Sequence, residues 1–534
     1  MSALTKLRPV EPDTAASDAQ YFVLDQNLNG NGSDGIPGWV YSIVQYRVGT
    51  PERPPDGVVD PDFVEGWETS PDGLTVTLKV RQGLKWDNRP PTSGRLADSA
   101  DLKYSWDRWV ARNSKAPSLA NEKDPFAPVV SVTTPDSKTA VMKLAYPYAP
   151  LLPMLAFIFH PVMMPKEADG GFDVRNTARG SGAWLIEEYQ PSTILKLRRN
   201  PNWHVKDRPY LDGWDIIILP DYAQGLAQLK AGNIDTYAVR QEDVIATKKD
   251  TPSLVFIQRS DWTKTPDGWL YFGVQPDSPF LDERVRKAFS MEIDRDTFLE
   301  TFSDKAKFNA IGLPAEYKLS NYAAPGYPFY LDPRGKEMGE AAKSFEFSPA
   351  EAKKLLSAAG NNQPISFNFT VPATGASTQQ NEALVGGVNA VGDFKITFQS
   401  VNFQQVFIPQ YQNQKGDFKG MILLGQAESP DYDWVMYNTF YPESPNYFSK
   451  TLVDQKIVQT IDAQRRELDK NKRHDLLRDF QRYMGTKMYI LPMPGQWKTF
   501  TLSQPWVGNF GAFLPWLGPS LGGAGSSQTA YTHY

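Results

Sequence analysis

The segment Glu428-Ser-Pro-Asp-Tyr-Asp-Trp434 brings three carboxylates and an indole together within a few residues. The apolar run KGMILLG before it predicts a buried strand, so the acidic segment leaves a strand end, where binding sites of α/β folds collect. A carboxylate there could hold an ammonium group or accept hydrogen bonds from sugar hydroxyls. We predict ligand contact by at least one of Glu428, Asp431, Asp433 and Trp434. The alternative is a solvated acidic loop in which Pro430 shapes a turn.

Aromatic side chains are the second source of binding chemistry. The chain has 14 Trp, 24 Tyr and 29 Phe, and such rings stack on sugars or clamp apolar groups. Most aromatic residues of any fold belong to its core. Trp39 and Tyr41 are the better ligand candidates because they follow the glycine-rich loop Gly30 to Gly38.

Two motif-like patterns near the N-terminus do not support a cofactor or metal. Gly30-Asn-Gly-Ser-Asp-Gly35 has G-x-G-x-x-G spacing, but the Pro37-Gly38 turn follows where a phosphate-binding helix should begin. Asp25-x-Asn27-x-Asn29-Gly30 matches the first half of a calcium loop, yet Ile36 stands where a bidentate Glu is needed. We interpret this stretch as an ordinary loop with Asn and Asp side chains stabilising its turns.

Catalytic motifs are also missing from the sequence. The chain contains no HExxH, GxSxG or P-loop pattern, and its histidines share no metal-ligand spacing: His160, His204, His474 and His533. We therefore predict no metal, no cofactor and no catalytic residue. A hydrolase that uses a pair of carboxylates stays open as an alternative, because such pairs leave no sequence motif.

Composition limits the class of protein. The 534 residues carry a net charge of −5 and no cysteine, so disulfides and thiolate chemistry are excluded and nucleic acid is not an expected partner. The segment MSALTKLRPVEPDTAASDAQ lacks the apolar core of a signal peptide. The apolar run Leu144 to Pro165 is long enough for a membrane span, but its five prolines predict a buried loop or strand segment instead.

Strand and helix patterns alternate along the chain, which indicates the α/β class. Arg284 to Met291 predicts a helix with Val285, Ala288 and Phe289 on one face. The predicted strands are Phe22 to Leu24, Leu74 to Val80, Thr193 to Arg198 and Asp215 to Leu219. The other predicted helices are Asp101 to Val110, Tyr222 to Ala231, Pro349 to Ala359 and Ile457 to Met484, the last broken near Asp469.

Four blocks carry a family resemblance in their order and spacing. They are FVEGWETSPDGLTVTLKVR from Phe63, RGSGAWLIEEYQPSTILKLRRNPNW from Arg179, RPYLDGWDIIILPDYAQGLAQLKAGNID from Arg208 and DERVRKAFSMEID from Asp282. Together they resemble the large family 5 solute-binding proteins of ABC importers, which include oligopeptide-, dipeptide- and nickel-binding proteins. Within these blocks, Arg286 and Asp294 are expected to serve ion pairs and helix ends.

The resemblance implies a two-lobe, type II periplasmic-binding-protein-like fold with an extra inserted domain. It places the main lobe at residues 1–50, 178–265 and 490–534, the inserted subdomain at 51–177 and the second lobe at 266–489. It also implies a hinge near Asp261 and Trp262, which adds these two residues to the ligand candidates. In peptide-binding relatives an Asp pairs with the ligand ammonium at the position where this chain has Glu428.

The function implied by the resemblance is that of an extracytoplasmic receptor and not of an enzyme. Such a receptor, periplasmic or extracellular at the membrane and expected to be a monomer, captures a peptide, oligosaccharide or similar solute by hinge closure. Its partners are that solute and an ABC permease. A receptor of the same fold that feeds a signalling sensor is the other alternative.

Overall fold

A computed structural model describes most of the chain. The described residues are 6–7, 9–11, 43–47, 58–113, 115–157, 160–172, 174, 177, 179–190, 193–219, 221–237, 239–258, 262, 268–373, 378–425, 431–444, 446–498 and 500–507. The predicted strand Phe22 to Leu24, the glycine-rich loop, Trp39, Tyr41, Asp261 and Glu428 lie outside these ranges.

The chain forms two compact units. Residues 1–261 and 500–534 form the first unit, and residues 262–499 form the second. The second unit is therefore one uninterrupted stretch of sequence inserted between two parts of the first. A separate subdomain at residues 51–177, as the resemblance implied, stays a prediction.

The first unit contains a mixed sheet built from eight described strands. Its order is β13-β21-β12-β2-β11-β10-β9, with β1 pairing beside β11. These strands are β1 (Lys6–Leu7), β2 (Pro9–Glu11), β9 (Trp184–Gln190), β10 (Ile194–Arg199), β11 (Gly213–Ile218), β12 (Thr236–Tyr237), β13 (Val255–Gln258) and β21 (Phe500–Ser503). The last strand comes from the C-terminal part of the chain, so residues far apart in sequence complete one sheet.

Two smaller sheets of the first unit are formed by strands that come between β2 and β9 in the sequence. Strands β3 (Val44–Tyr46) and β4 (Val59–Pro61) pair antiparallel. The other sheet has the order β5-β6-β8-β7, from β5 (Val64–Thr69), β6 (Thr75–Val80), β7 (Val129–Asp136) and β8 (Thr139–Leu144). The helices of the first unit are α1 (Ser99–Arg112), α2 (Leu151–Leu155), α3 (Ala168–Gly171), α4 (Tyr222–Lys230) and α5 (Gln241–Asp250).

The second unit is built on a five-stranded sheet of described strands. Its order is β17-β16-β18-β14-β19, from β14 (Trp269–Phe272), β16 (Ile365–Pro372), β17 (Phe394–Val401), β18 (Met421–Leu424) and β19 (Ile490–Pro492). Strand β16 runs parallel to β17 and β18, whereas β14 runs antiparallel to both of its neighbours. A separate pair joins β15 (Tyr317–Leu319) to β20 (Gly495–Trp497).

Helices are interspersed with these strands along the sequence of the second unit. They are α6 (Glu283–Met291), α7 (Arg295–Ser303), α8 (Lys305–Ala310), α9 (Pro349–Ala358), α10 (Thr378–Val391), α11 (Ile408–Gln410), α12 (Tyr432–Phe440), α13 (Gln455–Arg466) and α14 (Lys470–Lys487). On α6 the predicted face is confirmed, since Val285, Ala288 and Phe289 are fully buried. The Phe289 ring lies 5.2 Å from that of Phe394, so this face anchors the helix to the sheet.

Side-chain caps fix where several helices begin. The Asp98 carboxylate accepts from the amides of Ala100 and Asp101, and Asp101 reaches back to the amide of Asp98, which completes a capping box. Asp294 likewise caps α7 by accepting from the amide of Thr297, as the sequence predicts. Arg286 instead donates to backbone carbonyls, including those of Met488 and Phe280. These hydrogen bonds differ from the ion pair that was expected for this residue.

The prediction for the proline-rich run Leu144 to Pro165 was wrong in part, because it contains the short helix α2. Pro150 occupies its N-cap and Pro153 lies within the first turn. Amide groups at these positions have no partner inside a helix, so proline costs little there. Among the described helices, none combines the length and the apolar composition needed to cross a membrane.

Candidate functional site

The acidic segment leaves the sheet of the second unit at the end of β18. All four residues of β18 are buried. In the antiparallel ladders, Trp269 at the start of β14 pairs with Leu424 and with Pro492, and the amide of Met493 donates to the carbonyl of Gly268. The ends of β18 and β19 therefore meet the beginning of β14 at one edge of the sheet.

Asp431 is the N-cap of helix α12. Its carboxylate accepts a hydrogen bond from the amide of Asp433 at 2.8 Å and so caps the helix. The same carboxylate receives both terminal nitrogens of Arg473, at 2.7 and 2.5 Å. This two-point ion pair fixes α14 to the start of α12.

Asp433 is fully buried and lies in a second ion pair. Arg465 Nε donates to its Oδ1 at 2.8 Å and Arg465 Nη2 to its Oδ2 at 3.2 Å. Gln464 also donates to Oδ1, while its own Oε1 accepts from Arg473 at 2.9 Å. Gln464 therefore links the two ion pairs into one network that joins α12, α13 and α14.

Trp434 lies inside the core of the second unit. Its side chain is 3% exposed, and every residue of α12 is buried. The three described residues of the predicted site thus belong to a packed helix start with charged partners on two neighbouring helices. The sequence predicted carboxylates near a strand end, but it carried no signal for Arg465 or Arg473, which lie more than thirty positions further along the chain.

Trp262, the described member of the predicted hinge pair, has a different environment. It is half-buried, with Lys318 Nζ 4.8 Å and Lys498 Nζ 5.4 Å from its ring centroid. These distances are typical of cation–π contacts. Sequence reasoning missed both lysines, because neither stands near Trp262 in the chain.

Two pockets are lined by other residues. One, of about 370 Å³, is lined by residues of the second unit that include Gln275, Phe280 and Lys419. The other, of about 630 Å³, is formed by residues 199–201 and 203–210 of the first unit. Within the described ranges, no group of three or more Asp, Glu or His side chains is arranged to hold a metal ion.

Histidine 160 is a core residue, as its place in the apolar run predicts. Its Nδ1 lies 2.7 Å from the carbonyl of Met154 and its Nε2 lies 3.0 Å from Ser118 Oγ. Burial lowers the pKa of this imidazole to about 3. The ring is therefore neutral at physiological pH and serves the packing of the first unit.

The fold and sequence together define a class of binding protein. Residues 58–447 match the family described as bacterial extracellular solute-binding proteins, family 5 Middle. Because this match covers more than half of the chain, the protein belongs to that family. The predicted fold class, α/β with a two-lobe type II architecture, is confirmed.

Similar proteins carry peptide-binding names. The chain is 26% identical over 388 residues to a Brucella ovis protein named as a candidate ABC transporter peptide-binding protein, covering 69% of this chain and 66% of that one. It is 25% identical over 342 residues to the dipeptide-binding protein of Escherichia coli, covering 61% and 58% of the two chains. These matches span less than two thirds of either relative. The Di/tripeptide-binding protein 2 of Pseudomonas aeruginosa is 23% identical over 473 residues, with 82% of each chain covered.

Solved structures share the fold at lower identity. The periplasmic binding protein DppA of Helicobacter pylori, in complex with the peptide STSA, has a TM-score of 0.75 and 16% identity, covering 99% of this chain and 98% of its own. AgaA of A.tumefacien R10, in complex with agropinic acid, has a TM-score of 0.74 and 19% identity with the same coverage. NikA of Staphylococcus aureus, in complex with Ni(L-His)2, has a TM-score of 0.71 and 14% identity, covering 99% and 100%.

Proposed function

We propose that this protein is the extracytoplasmic receptor of an ABC importer. It captures a small solute by hinge closure of its two lobes and delivers that solute to the permease, without chemical change. The observation that carries the proposal is the family match over residues 58–447. The peptide-binding names of the relatives favour a peptide or a similar small solute.

The proposed setting follows from the same family. The receptor acts in the periplasm or at the outer side of the membrane, as a monomer that contacts the permease in its solute-bound form. Hinge closure couples binding to recognition, because a solute with contacts on both lobes favours the closed population.

Native mass spectrometry of the full chain tests the receptor function. Receptors of high affinity retain solute through purification, so we expect a mass above that of the polypeptide, which is lost on mild unfolding and refolding. The released compound, added back in calorimetry, should bind saturably and be recovered unchanged. Turnover of the compound would contradict the proposal and favour the hydrolase alternative.

We also propose that Glu428 contacts the solute, with Asp431 and Asp433 as residues that fix the start of the helix that follows it in the sequence. The support is the hydrogen-bond network around α12, in which both aspartates are paired with arginines. Glu428 is the remaining acidic residue of the segment and precedes the helix cap in the sequence. Trp39, Tyr41, Asp261 and Trp434 stay predicted ligand contacts.

Glu428→Ala tests this contact. Loss of a hydrogen bond to a charged or hydroxylated solute group costs about 1–3 kcal/mol, roughly 10- to 100-fold in affinity. Calorimetry with the solute identified by mass spectrometry measures the loss, and Asp479→Ala, on the exposed side of α14, is the control. Unchanged affinity of the Glu428 variant would show that this carboxylate lies outside the site.

A further inference from the structure

Two lysines share one tryptophan ring in the second unit. Lys318 Nζ and Lys498 Nζ lie 4.8 and 5.4 Å from the centroid of Trp262. All three side chains are half-buried, so the cluster is partly removed from bulk water yet remains accessible. We call these residues the lysine–tryptophan cluster.

The small sheet of β15 and β20 places both lysines on the same face. Lys318 pairs with Gln496 across the ladder, and the amide of Lys498 donates to the carbonyl of Glu316 at 3.0 Å. Residues opposite one another, and those two positions apart, point to the same side of a sheet. Lys318 and Lys498 therefore project together toward Trp262, whereas Tyr317 projects to the other face.

The positive charge of this cluster is not balanced by an ion pair within the described residues. Neither lysine forms an ion pair with a carboxylate of the described residues, although Glu316 shares their face and is exposed. A cation–π contact with one ring at an exposed site is weak. Two ammonium groups beside one ring also repel each other, so an anion placed between them would gain favourable contacts with both.

Lys498 of the lysine–tryptophan cluster follows closely in sequence after β19, which ends at the same edge of the sheet as β18. Strand β20 follows β19 after only Met493 and Pro494, and Pro492 at the end of β19 pairs with Trp269. Trp269 pairs on its other side with Leu424, the last residue of β18. Lys498, just after β20, thus follows the end of β19, and the segment that carries Asp431 follows the end of β18, with β14 between these two strands in the sheet.

We propose that the lysine–tryptophan cluster is a subsite for an anionic group of the bound solute, a carboxylate or a phosphate. This inference rests on the proposed receptor function and narrows its solute to small molecules with an oxyanion. Lys318 and Lys498 donate to the oxyanion, and the Trp262 ring packs against the adjoining apolar part of the molecule. The three carboxylates of the acidic segment could not take this role, because carboxylates repel an anion.

Matched probes test the subsite with the full chain. Glycerol, glycerate and glycerol phosphate form a series that differs in the anionic group, and trialanine and trialanine amide form a pair. Thermal shift and calorimetry are measured for the parent and for the Lys318→Gln/Lys498→Gln double variant. We expect at least one anionic probe to bind the parent about tenfold or more tightly than its neutral partner, and the double variant to lose that preference. Glycerate against glycerol phosphate separates a carboxylate from a phosphate source.

Two further variants separate charge from structure. Lys318→Arg/Lys498→Arg keeps the cations and should keep most of the anionic preference. Lys456→Gln removes a lysine that lies 4.2 Å from the ring of Tyr483 elsewhere in the same unit, and it should bind like the parent. Each variant must melt like the parent before its binding is compared.

Three outcomes would overturn the subsite: equal binding of anionic and neutral probes, an anionic preference that survives in the double glutamine variant, or no response of the parent to any anionic probe. The receptor function is judged separately, by the solute retained in native mass spectrometry. A retained neutral solute would support the receptor function and contradict the anionic subsite.

Discussion

Glu292 is a carboxyl group buried at the end of α6. Its side chain is 1% exposed, and neither carboxyl oxygen has a hydrogen-bond donor among the described residues. Burial, and next the negative charge of Asp393 together with a hydrogen bond to it, raise the pKa of Glu292 to about 8. Glu292 is therefore protonated at neutral pH and can donate its proton to Asp393.

This raised pKa predicts how stability depends on pH. The unfolded carboxyl loses its proton near pH 4.5 and the folded one near pH 8, so the folded state binds more protons between these values. The contribution of Glu292 is fully present below pH 4.5 and is lost as pH rises toward 8. Glu292→Gln, which keeps a donor without the charge, should be more stable than the parent above pH 8 by about 1–3 kcal/mol. Urea unfolding across this pH range measures the difference, and an unchanged pH slope in the variant would contradict the assignment.

The Asp433–Arg465 pair sets a second test at the residue scale. Asp433→Ala leaves the Arg465 guanidinium buried beside Tyr437 without its carboxylate, which should cost about 3–5 kcal/mol. Asp479→Ala, which removes an exposed pair with Arg482, should cost about 0–1 kcal/mol. Denaturant unfolding compares the two variants. A loss below 1 kcal/mol for Asp433→Ala would mean that water solvates Arg465 in the folded protein.

Because Trp434 is buried, its predicted contact with the solute must be tested with a substitution that preserves the packing of the core. Because it is packed within α12, truncation to alanine would remove core contacts worth about 3–5 kcal/mol, and weaker binding could then reflect unfolding. Trp434→Phe keeps most of the volume. Its free energy of unfolding should lie within about 1.5 kcal/mol of that of the parent. Calorimetry with the retained solute would then report on ligand contact alone.

Helix α4 gives a test at the scale of an element. Asp221 caps it by accepting from the amide of Gln224 at 2.7 Å. Asp221→Ala should therefore cost about 1 kcal/mol. Asp250→Ala removes an exposed partner of Lys230 at the end of α5 and should cost at most about 0.5 kcal/mol. Equal stability of the two variants in thermal unfolding would contradict the capping role.

Local patterns of sequence predicted many elements of the fold. Period-two alternation located β6, and the 3.6-residue period located α6 with its buried face, because both signals arise within a few residues. The helix break near Asp469 was also predictable, since this residue caps α14. Helix α2 was missed because proline was counted as a breaker at positions where the first turn tolerates it.

The candidate site was less predictable than the elements that carry it. A strand end followed by Asp431 and Asp433 is readable from sequence, but their arginine partners come from helices α13 and α14. Likewise the pairing of β15 with β20 brings Lys318 and Lys498 onto one face, and Trp262 meets them from a distant part of the sequence. Contacts between distant segments depend on tertiary packing, which local periodicity does not encode.

At the scale of the whole molecule, the receptor mechanism predicts compaction on binding. Small-angle scattering should give a smaller radius of gyration with saturating solute than without it, because hinge closure removes solvent from a cleft. The solute identified by native mass spectrometry is the probe, and a chemically related compound that does not bind is the control. Identical scattering profiles with and without solute would contradict capture by closure.

The place where the second unit interrupts the first has a consequence for engineering. Strands β13 and β21 pair antiparallel, and Gln258 is the register partner of Phe500. The chain thus departs and returns at neighbouring positions of one ladder, in the manner of a hairpin whose turn has been replaced by more than two hundred residues. A short Asn-Gly turn in their place would match the natural twist of the two strands. We therefore expect that residues 259–499 can be exchanged as one segment, and that grafting the corresponding stretch of a related receptor between Gln258 and Phe500 should leave the register of β13 and β21 unchanged.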